Sequence, residues 1–444
     1  MTVTAASVKD TVQGTMKDII NEASTKLPLK DSTKLQGREL YKSIGSPKTI
    51  VAPMVDQSEL AWRILSRRYG ADLCYSPMYH ARLFATEKAY RDRMISELDG
   101  DPTIDRPLVI QFCANDPEHL LQAAKLVEDK CDAVDLNLGC PQGIARKGHY
   151  GSFLMEDWDL VHKLINNLHK NLSIPVTTKI RVYDDWEKSV DYAKMVIDAG
   201  AQMLTVHGRT RDMKGQATGL ANWEILKHIR ERVGDQVFFA NGNIIYPDDI
   251  ERCFNTIDCD AVMSAEGNLY NPGTLWTKDN DINKQFPRVD TLLREYFEIV
   301  RSIKSEASRH CMKAHFFKIL HEFLNHNTDL RPLIGRTSVN SDWKEWDDIV
   351  KEIESRVEKI YQDEDIEEKD IVTVGGLESW GGKYREVPYW RCQPYFRRVD
   401  GEKQNTRVLK IAASDKLSVP TNDSNSTNKK RKGEDAELIS KRSK

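Results

Sequence analysis

Cys140 sits in Asn137-Leu138-Gly139-Cys140-Pro141, where a tight turn stops the apolar run of Ala133, Val134 and Leu136. A strand that ends in a turn carrying a reactive group is where an α/β enzyme places its chemistry. Three more runs share the pattern: Val176 to Arg181 with Lys179, Leu204 to Arg209 with His207, and Phe238 to Asn243 with Asn241, Gly242 and Asn243. Each is a short β-branched or aromatic run ending in polar residues or glycine. Taken alone, Cys140 also fits an inert buried thiol, since free cysteine packs as a small hydrophobe, and His207 fits a hydrogen-bonded strand-end histidine. In a glycine–proline turn the thiol, with an unperturbed pKa of about 8.5, is largely protonated at neutral pH and can act as a general acid.

These turns need a frame that brings them together. Strand-like runs at 48–53, 72–76, 107–112, 133–137, 175–181, 202–207, 237–241 and 260–265 alternate with segments of helical period. The helical segments include Glu59 to Tyr69, Pro117 to Lys130, Glu156 to Lys170, Lys188 to Ala199, Trp223 to Val233 and Pro247 to Thr256. Eight strands alternating with helices over roughly 225 residues predict a closed (β/α)8 TIM barrel in preference to an open doubly wound sheet. The connection from 77 to 106 is long and charged, and part of it is expected over the barrel mouth. From Thr291 the pattern is helical without strands (Thr291 to Arg301, Ser308 to Leu324, Trp343 to Tyr361), which predicts an all-α domain. The expected organisation is an N-terminal extension over 1–46, a barrel over 47–285, a helical domain over 286–363, an aromatic and arginine-rich segment over 364–400, and a disordered basic tail over 401–444.

In such a barrel the carboxyl ends of the strands converge on one mouth. Pro53, Met54, Gln111, Asn137, Cys140, Lys179, His207, the Asn241-Gly242-Asn243 turn and the Ala265-Glu266-Gly267 turn then surround one cavity. The last two follow strands 7 and 8, where barrels commonly bind phosphate through backbone N–H groups. Lys179 has two functional readings, a Schiff base or a fixed positive charge beside a reduced, anionic flavin, and a third as a surface lysine at a strand end. The neighbouring cysteine favours the flavin, because hydride transfer to an activated double bond needs a proton donor. Beside Gly208 and Arg209, His207 becomes a contact to an anionic cofactor.

The 444 residues carry a formal net charge of -3 and are 40% hydrophobic and 30% charged, which excludes a wholly basic nucleic-acid coat and leaves any polyanion a local patch. That patch is expected where Arg301, Lys304, Arg309, His310, Lys313, His315 and Lys318 face a single Glu306. The run from Tyr389 to Arg398 interleaves aromatics with arginines, suiting either base stacking and phosphate contact or packing onto the helical domain. Eight cysteines include no CxxC pair, so free thiols in a reducing compartment and no metal site are expected. No apolar stretch approaches ~18 residues, so no membrane association is expected, and the opening Met1 to Ala6 lacks the features of a signal peptide. Lys429-Lys430-Arg431-Lys432 has the form of a nuclear-import signal, giving an expected cytoplasmic or nuclear location.

Together, Ala52-Pro53-Met54-Val55-Asp56, Asp135-Leu136-Asn137-Leu138-Gly139-Cys140-Pro141, Thr178-Lys179-Ile180-Arg181, Val206-His207-Gly208-Arg209-Thr210-Arg211 and Ala240-Asn241-Gly242-Asn243-Ile244 resemble the tRNA-dihydrouridine synthases. The stretch Gly143 to Gly151 is similar to the eukaryotic branch that acts on positions 16 and 17 of the tRNA D-loop. The resemblance implies FMN over the barrel mouth, with Pro53, Met54 and Val55 under or beside the ring and Gln111 and Lys179 at its polar edge. His207, Asn241, Gly242, Asn243, Ala265 and Glu266 would hold ribityl and phosphate. NADPH or NADH would reduce the flavin, the hydride would pass to uracil C6, and Cys140 would protonate C5, with Asn137 near the uracil. Arg209, Arg309, Lys313 and Lys318 are the expected contacts to tRNA, and the enzyme is expected to be a monomer. Many members carry arginine in the strand-8 turn where this chain has Glu266, so charge compensation there would fall to backbone amides, Arg209 or another basic group. Two rival readings are an FMN barrel that reduces a small molecule and an RNA-binding barrel that has lost activity.

Overall fold

The structure, a computed structural model, describes residues 34–215, 218–379 and 382–395. The strands are β1 (Thr49–Val51), β2 (Leu73–His80), β3 (Leu108–Cys113), β4 (Ala133–Leu138), β5 (Val176–Arg181), β6 (Met203–His207), β7 (Val237–Asn241) and β8 (Ala261–Ser264). All pair in parallel, each with the next, and β1 pairs with β8 to close the barrel. The expected strands agree with these within a residue or two, except that β2 runs on to His80. Parallel strands covered on both faces read as nearly unbroken apolar runs, and this periodicity made them visible in the sequence.

Alternate side chains serve two layers. Ile50, Leu73, Tyr75, Val109, Ala133, Met203, Val237, Phe239 and Met263 fill the barrel interior, joined from below by Leu40, Tyr41 and Ile44. The helix Gly37–Ser43 therefore belongs to the barrel floor, although it lies within the expected extension; the Tyr41 hydroxyl donates to the carbonyls of Pro47 and Asp260. Outward residues such as Cys74, Ile110, Leu136, Leu204 and Val262 meet the surrounding helices. Four of those helices start where Asp116, Asp157, Asp185 and Asn222 accept a backbone N–H three residues on, the usual N-cap bond.

The connection after β2 folds into helices Ala81–Thr86 and Lys88–Met94; the first packs on Pro117–Lys125 and the second on Glu306–Ile319. Beyond the barrel come helices Val289–Ser302, Glu306–Ile319, Phe323–His326, Leu330–Arg336 and Trp343–Tyr361. The expected helix from Ser308 to Leu324 is thus broken after Ile319, and Leu330–Arg336 was not anticipated. The core of this helical region crosses the expected boundary at 285/286: Trp62 and Leu65 of Leu60–Arg68, the first barrel helix after β1, pack with Leu292, Tyr296, Phe316 and Trp346. Glu59, at the start of that barrel helix, accepts from the Tyr296 hydroxyl at 3.0 Å and lies 3.0 Å from His315 Nε2. His315 is fully buried and stacks on Trp62, so it leaves the basic surface assigned to its helix.

After the helices, Thr373–Ser379 and Gly382–Glu386 form an antiparallel hairpin. Trp390, Arg391 and Cys392 are buried; Trp390 Nε1 donates to Asp370 at 2.7 Å and Arg391 grips the same carboxylate with two nitrogens. For these residues packing, rather than base stacking, holds. Phe396, Arg397 and Arg398, the tail and Lys429 to Lys432 lie outside the described residues.

Candidate active site

Register brings the polar strand ends together. Asn137 on β4 is level with Lys179 on β5, Arg181 is level with His207 on β6, and His207 is level with Asn241 on β7. Asn137 Nδ2 donates to Gln111 Oε1 at 2.8 Å, while Asn137 Oδ1 accepts the backbone N–H groups of Gly139 and Cys140 at 3.1 and 2.9 Å. The turn that carries Cys140 is therefore tied to the strand two to three residues earlier. Behind it, Gly151 (φ +64°) approaches so closely that a Cβ there would stand 2.8 Å from the Cys140 carbonyl oxygen, a place that needs glycine. Cys140 remains half-buried. Burial raises its thiol above the ordinary range, against the pull of a backbone bond at Gln142 and the charges of Arg181 and Lys179. The group is thus a held proton at neutral pH and not a thiolate.

Cations gather on the next strands. Burial, followed by Arg181, brings Lys179 down to about 7, against Asp135 and Cys140, which favour its charge. Burial likewise lowers Arg181 to about 10; its guanidinium donates to the carbonyls of Gly139, Thr210 and Met213. Half-buried His207 is held well below its ordinary value, first by desolvation and then by Lys179, Arg181 and Arg209, so it is a neutral imidazole. Arg209 Nη1 lies 2.9 Å from His207 Nε2, and Arg209 Nη2 donates to Asn243 Oδ1 at 3.0 Å and to the Gly219 carbonyl at 2.9 Å.

The strand-7 turn is shaped for close approach. Gly242 has φ +115°, and a Cβ on it would sit 2.5 Å from Ala221 Cβ and 3.2 Å from the His207 ring. Asn243, also left-handed at φ +63°, is clamped to both backbone groups of Ala221. The strand-8 turn lies against it: a Cβ on Gly267 would meet the Ile244 carbonyl oxygen at 2.4 Å. Half-buried Ala265 precedes the short helix Glu266–Tyr270. Arg181 and Arg209 both disfavour the charge of Lys179, so basic side chains cluster at this end of the barrel, and glycine turns there admit a ligand's anionic group to the backbone. The donor set fits the phosphate of a flavin nucleotide and the negative charge that its ring carries when reduced.

Gln111, Asn137, Cys140, Lys179, His207, Arg209 and Asn241 to Asn243 thus form one connected constellation. Half-buried Pro53 and Met54 and exposed Val55 follow β1 next to the β8 turn. Arg309, Lys313 and Lys318 lie on the helical region and are already engaged: Arg309 donates to the carbonyls of Val339 and Ser341 and covers the Trp343 ring, Lys313 donates to the Gly335 carbonyl, and Lys318 stands over Tyr270. Two residues of the site carried no assigned role in the sequence reading, Asp135 and Arg181. A charged residue within an apolar strand, two positions before Asn137 and so on the same face, was the available signal for Asp135.

A family profile described as dihydrouridine synthase (Dus) matches residues 50–369. The chain belongs to the dihydrouridine synthase family. Among its relatives within that family is the tRNA-dihydrouridine(16/17) synthase [NAD(P)(+)] of Saccharomyces cerevisiae, 63% identical over 382 residues that cover 85% of this chain and 90% of the relative. The protein of the same name from Schizosaccharomyces pombe is 46% identical over 83% of this chain and 92% of its own length. The mouse tRNA-dihydrouridine(20a/20b) synthase-like protein is 35% identical over 53% of this chain and 70% of its own. All the motif residues of the constellation lie inside the matched dihydrouridine synthase region.

Proposed function

We propose that the protein is a tRNA-dihydrouridine(16/17) synthase that reduces the C5=C6 bond of uridine in the D-loop with NAD(P)H and FMN. The observation that carries this reading is the thiol of Cys140, fixed on a turn that Asn137 and Arg181 hold by hydrogen bonds, in a chain that is 63% identical to the yeast enzyme of that name.

The residues divide the work by chemistry. Bound FMN supplies hydride exchange between the nicotinamide and the pyrimidine. Cys140 holds the proton destined for uracil C5, and Asn137 and Gln111 orient the ring edges through amide hydrogen bonds. Lys179 favours negative charge beside it; Arg209, neutral His207 and the backbone of the Asn241 to Asn243 and Ala265 to Gly267 turns take the phosphate end. Glu266 cannot neutralise a phosphate, so its turn contributes through its backbone. Pro53, Met54 and Val55 give the ring an apolar edge.

A uracil stacked within tRNA cannot reach a buried ring, so the base must be flipped out or taken from an open loop. Lys313 and Lys318 of the helical region would meet the phosphate backbone by exchanging their present contacts to Gly335 and Tyr270, with Arg309 contributing what its structural bonds leave. The test is NADPH oxidation by the purified yellow protein with and without tRNA, combined with mapping of dihydrouridine in tRNA from cells that lack it. Oxidation that depends on tRNA, with loss of dihydrouridine at positions 16 and 17, is expected. Turnover with a small molecule alone, or a colourless protein that still binds tRNA, would overturn it.

A further inference from the structure

Asp135 is wholly buried inside the barrel, two residues before Asn137 on β4. Its Oδ1 accepts from the Thr177 hydroxyl at 2.7 Å and its Oδ2 from Gln111 Nε2 at 2.8 Å. Gln111 in turn accepts from Asn137 Nδ2, and Asn137 accepts the N–H groups of Gly139 and Cys140. The chain of bonds therefore has one direction. It begins at two backbone donors, which can never accept, and ends at a carboxylate, which when ionised can never donate. Between these fixed ends both amides have one permitted orientation.

We propose that Asp135 is a positioning residue that sets the polarity of this relay and so fixes the amides of Gln111 and Asn137 and the turn that carries Cys140. The role rests on the reading of Cys140 as proton donor. With the relay in this direction, each amide keeps one N–H outside it, the complement of a pyrimidine edge rich in carbonyl oxygens. Reversing the Gln111 amide would set its carbonyl against the Asp135 carboxylate. Reversing Asn137 would set its N–H₂ against the N–H groups of Gly139 and Cys140. Burial pushes the Asp135 carboxyl up to about 6, against the bonds from Gln111 and Thr177 and the charge of Lys179, and it stays mainly ionised at neutral pH.

Asp135→Asn preserves shape but removes the fixed acceptor: its N–H₂ can now face Gln111, and its carbonyl can do so only if the Thr177 hydroxyl turns to accept, so the direction of the relay is no longer enforced. The double variant Asp135→Asn/Gln111→Glu restores the direction, because the carboxylate introduced in place of the Gln111 amide accepts from both neighbours. Hydrogen exchange in the purified full-length protein reads this without flavin turnover or tRNA. In Asp135→Asn the amides of Gly139 and Cys140 are expected to exchange about tenfold faster, the equivalent of one ordinary hydrogen bond, while amides of β1, β6 and β7 keep their protection. The double variant is expected to return Gly139 and Cys140 to the wild-type rate. Dihydrouridine formation by Asp135→Asn should fall roughly 10²-fold, as for a misplaced reacting group, with the KM for tRNA unchanged. Unchanged exchange at Gly139 and Cys140, or faster exchange spread over the whole barrel, would overturn the proposal. If Asp135→Asn alone does not fold, the double variant decides: wild-type protection at the turn supports the relay and its loss refutes it. Failure of wild-type protein to oxidise NADPH with tRNA would instead refute the functional reading and leave the relay standing.

Discussion

Arg63 and Lys179 are both buried cations, held in opposite ways. Arg63, on the first barrel helix, bonds Asp105 through Nε at 2.8 Å and Nη2 at 2.5 Å, and Asp99 at 2.8 Å. Burial opposes its charge, but Asp105 and then Asp99 outweigh that cost and keep the guanidinium well above its ordinary value. Lys179 has other cations for neighbours, and burial together with Arg181 brings it down to about 7. With Arg67 3.8 Å from Asp105, two arginines meet the two aspartates of the first cluster, which holds the barrel to the connection after β2. In the second, Asp135 only partly offsets burial and Arg181, and on the proposed function an anionic ligand would complete the balance. On the proposed function, the poorly compensated charge lies at the working site and the compensated charge in the structural frame.

Removal of side chains from the two clusters should therefore damage different properties. The largest effect is expected at the mouth: Cys140→Ala should cut dihydrouridine formation by ~10²–10⁴-fold, the usual worth of general acid catalysis, while flavin content, tRNA affinity and melting temperature stay near wild type. Wild-type turnover would make Cys140 a packing thiol. Arg63→Met reverses the pattern by leaving Asp105 and Asp99 buried without their partner. A loss of about 3–5 kcal/mol of stability should appear in chemical denaturation, and turnover per folded molecule should remain. If stability is unchanged, the contrast between the clusters collapses.

Lys179→Met should weaken FMN retention by roughly 10–100-fold, in line with a charge-assisted hydrogen bond, and should not lower the melting temperature. The pH dependence has a definite sign. The folded lysine titrates at about 7, below its unfolded value, so its desolvation cost is fully present below pH 7 and fades as pH rises towards the ordinary lysine range. Anion binding runs the other way: FMN affinity should decline as pH rises above 7, by at most about tenfold per unit, and Lys179→Met should flatten the curve. The smallest effect is expected on the helical region. Lys313→Ala with Lys318→Ala should lower the salt dependence of tRNA binding by about one counterion per lost phosphate contact. Arg309→Ala, by freeing the Val339 and Ser341 carbonyls, should instead cost about 1 kcal/mol of stability. A change in salt slope with Arg309→Ala, and none with the lysines, would exchange their roles.

Much of the mouth was legible because its residues announce themselves within a few positions. Cys140 in its glycine–proline turn and Lys179, His207 and Asn241 at strand ends needed only the strand period and the barrel's geometry to be placed together. The helical region was read less well. Its basic residues were treated as one surface, yet His315 is buried against Glu59 and Trp62 and Arg309 ties down another loop. A helical pattern tells how often a residue returns to a face, not which face meets a neighbouring helix. Trp390 and Arg391 likewise looked open to base stacking until Asp370 engaged both.

By itself, then, the sequence determined the order of the eight strands and, β2 aside, their limits to within a residue or two, the turns that end them and the residue types offered at the mouth, because period, turn chemistry and capping act over a few residues. The tertiary structure alone decided which charges are balanced. Arg63 meets Asp99 and Asp105 across 36 and 42 positions, Gln111 meets Asp135 across 24, and Glu59 meets His315 across 256. Such partners are chosen by the packing of distant elements, and the free energy of a buried charge depends on partners and solvent exclusion that no local pattern encodes.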